Sequence, residues 1–173
     1  MTPAEDPRTT APPDIREVTD EQKTRGVEVI FHVAVAAAPL LQVLWNIDNF
    51  PRLFPDIKDY GLEARDPAEP PRWLDVRYRV DAVLAQVSYV IRRTLEPDGL
   101  SFTWREISGD LKRVRGGWYL AETDVPGLTR VTYRAFVDIG RFVPTRLVAK
   151  GARRKAGEMV DRVRREAVVL ASE

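Results

Sequence analysis

Cysteine is absent from the 173 residues, and histidine occurs once, as His32. The absence of cysteine excludes a disulfide scaffold, a thiol nucleophile and a thiolate metal site. A single histidine excludes zinc sites built from several histidines, and any Ser-His-Asp triad would have to use His32. The sequence also lacks a phosphate-binding loop, a dinucleotide glycine fingerprint and a cluster of metal ligands. We therefore predict neither a cofactor nor a metal.

Long hydrophobic runs are also missing. No stretch approaches the roughly 18 consecutive apolar residues that suggest a membrane-spanning helix. Residues 1–14 carry acids and prolines in place of the apolar run of a secretory signal, so we expect a cytoplasmic protein. The formal net charge is only +1, and this overall charge does not demand a nucleic-acid partner. The length corresponds to one domain that can bury a sizeable core.

Residues 1–26 and residues 27–170 differ in composition. The first segment is polar, contains four prolines and has few apolar side chains. Such a segment cannot bury enough surface to offset its ordering entropy, so we predict a disordered tail with at most a short turn near residues 18–23. The second segment carries periodic apolar patterns throughout and is predicted to be one ligand-binding domain.

Alternating apolar residues predict a first strand over residues 27–35. Pro39 favours a short helix over residues 39–47, and a second short helix is expected around residues 50–54, before Pro55. Six more strands follow, separated by short turns that join antiparallel neighbours. Their predicted bounds are 57–65, 72–84, 86–96, 100–108, 112–122 and 129–140.

The clearest periodic signal lies between Pro144 and Leu170, where apolar residues recur at helical spacing opposite a charged face. This segment is predicted to be one long C-terminal helix. The expected architecture is an α+β fold, in which a curved antiparallel sheet of about seven strands wraps around that helix. Two short helices should follow the first strand.

Bulky rings on the sheet and small residues on the helix predict a cavity between them. The turns set a register in which Phe102, Trp118 and Tyr133 lie side by side. The adjacent row should contain Ile91, Trp104, Gly116 and Ala135. The first half of the helix stripe is rich in alanine, and a domain packed to native density would normally fill such a space. The alternative is close helix–sheet packing, in which the alanines let the two backbones approach.

The residues predicted to line a pocket near the start of the helix are Phe54, Tyr78, Tyr89, Ile91, Phe102, Trp104, Gly116, Trp118, Tyr133, Ala135, Val148, Ala152, Ala156 and Met159. Two charged residues, Arg93 and Glu106, also fall on the apolar face of their strands. A buried charge needs a partner or a ligand. The two side chains are therefore either polar anchors inside the pocket or lie at strand ends where they reach water.

Basic residues are concentrated near the start of the C-terminal helix, and they comprise Arg146, Lys150, Arg153, Arg154 and Lys155. A solvated helix face is the simplest interpretation. The alternative is attraction to an anionic membrane surface or to a ribosome. Aromatic residues are not interleaved with these bases, which argues against a base-reading nucleic-acid site, and we expect no DNA partner.

Several short stretches resemble a known superfamily. They are Ala37-Ala38-Pro39 with Leu44-Trp45, the segment from Asp48 to Pro55, Gly117-Trp118 and Val143-Pro144. With the order of elements, they make the chain similar to the helix-grip fold of the START and birch-pollen-allergen (SRPBCC) superfamily. Within it, the chain most resembles the polyketide cyclase/dehydrase and coenzyme Q-binding group. The resemblance spans about residues 27–170.

The resemblance implies a hydrophobic ligand cavity between the sheet and the helix, but no universal catalytic motif that could be transferred. The first hypothesis is binding or carriage of a lipid, an isoprenoid quinone or a polyketide-like molecule. The second is an aromatic polyketide cyclase/dehydrase, and the third is an interaction protein that uses the basic helix. We assign no catalytic residue, because enzymatic activity is left open and binding is favoured.

Overall fold

The computed structural model describes residues 2–81, 86–138 and 145–173, with residues 145–150 described as helical backbone only. Eight strands are described, and their bounds are β1 Asp14–Thr19, β2 Arg25–Val33, β3 Ile57–Arg65, β4 Trp73–Asp81, β5 Gln86–Leu95, β6 Ser101–Gly109, β7 Arg113–Glu122 and β8 Thr129–Asp138. The helices are α1 Ala37–Trp45, α2 Phe50–Leu53 and α3 Thr145–Leu170. The predicted ends of two strands beyond Asp81 and Asp138, and the predicted helix start at Pro144, lie outside the described residues.

The strands form one antiparallel sheet in the order β1-β2-β8-β7-β6-β5-β4-β3. Strands β3 to β8 are neighbours both in sequence and in space, as the short turns between them predict. The predicted α+β architecture is confirmed: a curved antiparallel sheet, two short helices after residues 27–35 and a long C-terminal helix. The expected number of strands was about seven, whereas eight are present in the described part of the chain.

The additional strand, β1, lies in the segment that the composition predicted to be disordered. It pairs with β2 from Asp14 opposite Ile30 to Thr19 opposite Arg25. In the turn between them, the Asp20 carboxylate accepts hydrogen bonds from two backbone N–H groups of residues 22 and 24. The backbone ladder supplies the order that apolar side chains do not, since β1 fully buries none of its residues.

Residues 2–10 are also ordered, through polar contacts. Two short 3-10 turns, Pro3–Glu5 and Pro7–Thr9, flank a buried carboxylate, Asp6, which accepts hydrogen bonds from Arg8. Arg8 also pairs with Asp124, and Arg164 of α3 donates to the Arg8 carbonyl oxygen. The prediction of a disordered tail therefore differs from the structure, because the ordering contacts are ion pairs and backbone hydrogen bonds with distant residues.

Helix α3 buries the apolar stripe that its periodicity predicts, with Ala156, Val160, Val163 and Ala167 all buried. Its C-terminal half packs on β2, α1 and α2, where the protein's own side chains fill the space. The charged face of α3 remains in solvent. None of the helices in the described part of the chain combines the length and apolarity needed to cross a membrane.

Candidate functional site

A cavity of about 370 Å³ lies between the sheet, α2 and the first half of α3. The predicted residues that line it are Phe54, Tyr78, Tyr89, Ile91, Arg93, Phe102, Trp104, Trp118, Tyr133, Ala135, Ala152, Ala156 and Met159. The structure thus brings together most of the residues that the strand and helix patterns selected. Val148 was also predicted to line the cavity, but its side chain lies outside the description.

The predicted register across β6, β7 and β8 agrees with the structure. Phe102 pairs with Trp118, and Trp118 pairs with Tyr133. In the adjacent row Trp104 pairs with Gly116, which pairs with Ala135. Ile91 does not belong to this row, because Trp104 pairs with Arg93.

The turn between β5 and β6 sets this register, because the pairing runs without a shift from Leu95 opposite Phe102, next to the turn, to Ile91 opposite Glu106. Between β5 and β6 the pairing shifts from Val90 opposite Ser108 to Ile91 opposite Glu106. Ile107 is therefore an extra residue in β6, and its side chain is exposed. This inserted residue displaces only the pairings beyond it, away from the turn, so it does not change the partner of Trp104.

Gly116 was predicted to line the cavity and does not. A Cβ atom at this position would lie 2.4 Å from the Trp104 ring and 2.2 Å from the Arg134 carbonyl oxygen. The Trp104 indole therefore covers Gly116 and occupies the space that the glycine leaves. The glycine contributes to the site by admitting the ring beside it.

Glu106 also lies outside the cavity lining. Its carboxylate accepts hydrogen bonds from the Val114 backbone N–H and from Arg115. These contacts occur where the pairing of β6 with β7 ends, after Arg105 opposite Arg115. Of the two alternatives that the sequence left open for Glu106, its position matches a strand end, where its carboxylate pairs with backbone and side-chain donors.

Arg93 lies in the cavity wall and is only 3% exposed, so it does not reach water at a strand end. Its Nη1 and Nη2 atoms donate to the backbone carbonyl oxygens of Trp45 and Leu44, each over 2.9 Å. These carbonyls belong to the last turn of α1, where a helix has unpaired acceptors and a partial negative charge. Burial lowers the pKa of Arg93, but an arginine remains charged in a protein.

Three aromatic rings surround this buried cation. The Arg93 Cζ atom lies 4.7 Å from the centre of the Phe102 ring, 5.0 Å from Phe50 and 5.1 Å from Trp45. Ring faces attract a cation through their quadrupoles. The guanidinium is therefore stabilised by the C-terminus of α1 and by these rings, without a carboxylate partner among the described residues.

Packed aromatic rings form the wall of the cavity. Ring centres are 4.7 Å apart for Trp118 and Tyr133, 5.9 Å for Trp104 and Tyr133, and 6.0 Å for Phe54 and Trp118. Tyr78 and Tyr89 form a second pair across β4 and β5, with ring centres 5.6 Å apart. These separations are typical of stabilising aromatic pairs, so the wall has a defined shape.

The tyrosines of the cavity stay protonated near neutral pH. Burial and, to a smaller extent, the charge of an ionised Tyr78 raise the pKa of Tyr133 to about 12. Burial also raises the pKa of Tyr78 and of Tyr89, although Arg93 partly opposes the effect on Tyr78. The three phenols therefore act as neutral hydrogen-bonding groups.

Charged side chains surround the mouth of the cavity. They are Asp56, which precedes β3, and Lys155, Glu158 and Arg162 of α3. Lys155 Nζ lies 2.9 Å from Asp56 Oδ2, so an ion pair links α3 to the residues before β3. The sequence pattern assigned Lys155 to a basic surface and did not place it here, because the pair joins residues 99 positions apart.

Other lining residues were not predicted: Val27, Phe50, Leu53, Asp56, Ile57, Val114, Val137, Lys155, Glu158 and Arg162. Phe50 and Leu53 could have been selected as lining residues from the sequence, because they form the apolar side of the second short helix. Within the described lining, the carboxylates are confined to the exposed mouth, and histidine does not contribute. The described residues contain no cluster of three or more potential metal ligands.

Comparison with known proteins places this geometry in a family. The profile described as "Polyketide cyclase / dehydrase and lipid transport" matches residues 33–164. A search of the curated proteins finds no significant sequence match.

Three of the similar solved structures show the fold. A START superfamily protein from Mycobacterium smegmatis is 16% identical, with a TM-score of 0.71 over 84% of this chain and 98% of that chain. Human STARD10 is 16% identical, with a TM-score of 0.72 over 91% and 70% of the two chains. The Zhui aromatase/cyclase from Streptomyces sp. R1128 is 19% identical, with a TM-score of 0.57 over 91% and 88%. From the profile match and the shared architecture, the chain belongs to the polyketide cyclase/dehydrase and lipid transport family and has the helix-grip fold of the START superfamily.

Proposed function

We propose that the protein binds or carries a hydrophobic small molecule in the cavity between the sheet and α3. The single observation that carries this proposal is an unfilled space of about 370 Å³ inside a wall of packed rings. Cavities of this volume are in the range that ligand sites occupy, and protein interiors otherwise contain few voids larger than a water molecule. The apolar wall would stabilise a bound molecule by roughly 25 cal/mol per Å² of buried apolar surface, before the costs of association.

The distribution of polar groups supports binding over catalysis. The tyrosines are held in the neutral phenol form, and Arg93 donates to the α1 carbonyls. Within the described lining, the carboxylates lie at the solvated mouth, where they are poorly placed to exchange protons with a molecule held inside.

The cyclase/dehydrase alternative remains compatible with the family, and the Zhui aromatase/cyclase shares the fold. The same fold hosts many functions, so this likeness alone does not assign one. Turnover of a poly-ketone mimic by the purified protein would favour the cyclase, whereas binding without turnover would favour the carrier.

The third hypothesis, attraction of the basic helix to a membrane or ribosome, stays a prediction. Lys155 is paired with Asp56, and Arg154 lies 4.0 Å from Glu158. Arg153 is exposed, while the side chains of Arg146 and Lys150 are not described. Salt-sensitive co-sedimentation with anionic vesicles or ribosomes would test it.

A fluorescent reporter tests the proposed function directly. N-phenyl-1-naphthylamine, a neutral apolar dye, should gain fluorescence on addition of the protein. Ala152→Trp places an indole in the cavity and should abolish this gain, whereas Val168→Trp, at an exposed position of the same helix, should preserve it. Native mass spectrometry and lipid extraction would identify a molecule that co-purifies. Equal dye binding by both variants would refute the assignment of the ligand to this cavity.

A further inference from the structure

Three phenol groups face the cavity without a hydrogen-bond partner among the described residues. Tyr78, Tyr89 and Tyr133 all line it, and no described residue forms a hydrogen bond with their hydroxyls. Among the described residues, Arg115 Nε is the only side-chain polar atom that is both fully enclosed and unpaired. The phenol oxygens are unpaired but not fully enclosed, so each is exposed to an open space. Because the three rings line the cavity, that space is the cavity.

The hydroxyls of Tyr78, Tyr89 and Tyr133 face the same region of the cavity. An ionised Tyr78 or Tyr133 would raise the pKa of Tyr89, and an ionised Tyr78 would raise that of Tyr133. The Tyr78 and Tyr89 ring centres lie 5.6 Å apart, and all three tyrosines line the same cavity, so the hydroxyls share one poorly solvated space. Burial is the main cause of all three shifts, so each hydroxyl keeps its proton and can donate it in a hydrogen bond.

The buried cation does not demand an anionic ligand. Arg93 directs Nη1 and Nη2 to the carbonyl oxygens at the end of α1, and three ring faces surround it. These carbonyl and ring contacts stabilise the positive charge of Arg93 without a ligand. A carboxylate in the cavity would lose its hydration, and both Nη atoms of the buried guanidinium are already held by backbone carbonyls.

The remaining polar groups of the wall are also donors. No described residue accepts a hydrogen bond from the indole N–H of Trp104 or Trp118, and both side chains line the cavity. Carboxylates and side-chain amides are missing from the described interior of the cavity, so its side-chain acceptors are the three phenol oxygens, and the phenol and indole donors outnumber them. A site with unpaired donors matches a ligand that supplies an acceptor oxygen.

We propose that the cavity selects a neutral apolar molecule that carries a carbonyl oxygen, and that Tyr78, Tyr89 and Tyr133 bind this oxygen through their hydroxyls. The inference rests on the proposed function and deepens it, since it names the chemical class of the ligand. The site rejects a hydrocarbon of the same shape in part because its donors would then stay unpaired.

A matched set of ligands tests the selection. Fluorenone and fluorene have the same ring system, but only fluorenone has a carbonyl, and fluorene carboxylate supplies the anion. Each is titrated against the protein with bound N-phenyl-1-naphthylamine to obtain an affinity by displacement. The ratio of the fluorenone affinity to the fluorene affinity is compared between the wild type and each variant, so that differences in ligand hydration cancel.

Tyr78→Phe, Tyr89→Phe and Tyr133→Phe should each lower this ratio by about 2- to 10-fold, the range expected for one net hydrogen bond. Tyr119→Phe is the matched control, because Tyr119 packs against Arg134 and does not line the cavity; it should leave the ratio unchanged. Thermal unfolding of the three cavity variants should show no loss of stability, since the removed hydroxyl has no hydrogen-bond partner in the described part of the chain.

Two results would overturn the inference while leaving the proposed function intact. The first is an unchanged affinity ratio in all three cavity variants and in the triple variant. The second is tighter binding of fluorene carboxylate than of fluorenone by the wild type. If the dye and all three compounds fail to bind, the proposed function itself fails, so the two failures are distinguishable.

Discussion

Replacing Arg93 by methionine removes a buried cation and leaves an apolar side chain of similar length. The Leu44 and Trp45 carbonyls lose their donors, and each of these hydrogen bonds spans 2.9 Å. Hydrogen bonds to a charged group contribute about 1.5–3 kcal/mol each. Relief of the desolvated charge offsets part of the loss, so we expect Arg93→Met to lower the free energy of unfolding by about 2–5 kcal/mol.

Urea denaturation followed by tryptophan fluorescence measures this effect. With a slope of about 1–3 kcal/mol per molar urea, the midpoint should fall by at least about 0.7 M. Arg93→Lys should be intermediate, because one ammonium group lacks the fork that reaches both carbonyls. Arg79→Met is the control, since Arg79 is exposed and its replacement should change stability by less than about 0.5 kcal/mol. An Arg93→Met midpoint equal to or above that of the wild type would refute the reasoning and show that the buried charge is a net cost.

Three further predictions follow from single contacts. Gly116→Ala places a methyl group 2.4 Å from the Trp104 ring, and thermal unfolding should show a destabilisation of about 1–3 kcal/mol. Burial, with nearby arginines, lowers the pKa of His32, so the folded protein binds a proton less readily than the unfolded chain. The free energy of unfolding should therefore fall as the pH drops below about 6.5, and His32→Gln should flatten that part of the profile. Lys155→Met breaks the exposed ion pair with Asp56 at the cavity mouth; it should cost less than about 1 kcal/mol of stability and should speed dye release in stopped-flow displacement.

Each of these predictions has a control or a contradicting result. Gly151→Ala adds a methyl group that meets no atom within 4 Å and should stabilise the helix by about 0.5–1 kcal/mol. A pH profile of urea midpoints that is the same with and without the imidazole would remove His32 as its cause. Arg153→Met changes an exposed charge on the same helix without touching the cavity, and equal dye release from it and Lys155→Met would show that the ion pair does not restrain the mouth.

The repetitive part of the fold could be predicted from local patterns. Alternation located strands β3 to β8, and the short turns implied that consecutive strands pair, which placed Phe102, Trp118 and Tyr133 in one row. Helical spacing identified the buried stripe of α3. These signals are visible in the sequence because side-chain direction repeats every two residues in a strand and every 3.6 in a helix.

Contacts between residues that are far apart in the sequence determined the features that local patterns could not predict. β1 is ordered by backbone pairing with β2 and is not marked by apolar composition. Arg93 finds its acceptors in α1, 48 and 49 residues earlier, and the turn between β5 and β6 sets it opposite Trp104. Local periodicity shows which face of an element a residue occupies, but its partner across the core depends on register, bulges and the docking of separate elements. The sequence by itself therefore determined strands β2 to β8, the long helix and most of the aromatic lining, whereas only the tertiary structure added β1 and decided which polar groups are paired and which are left facing the cavity.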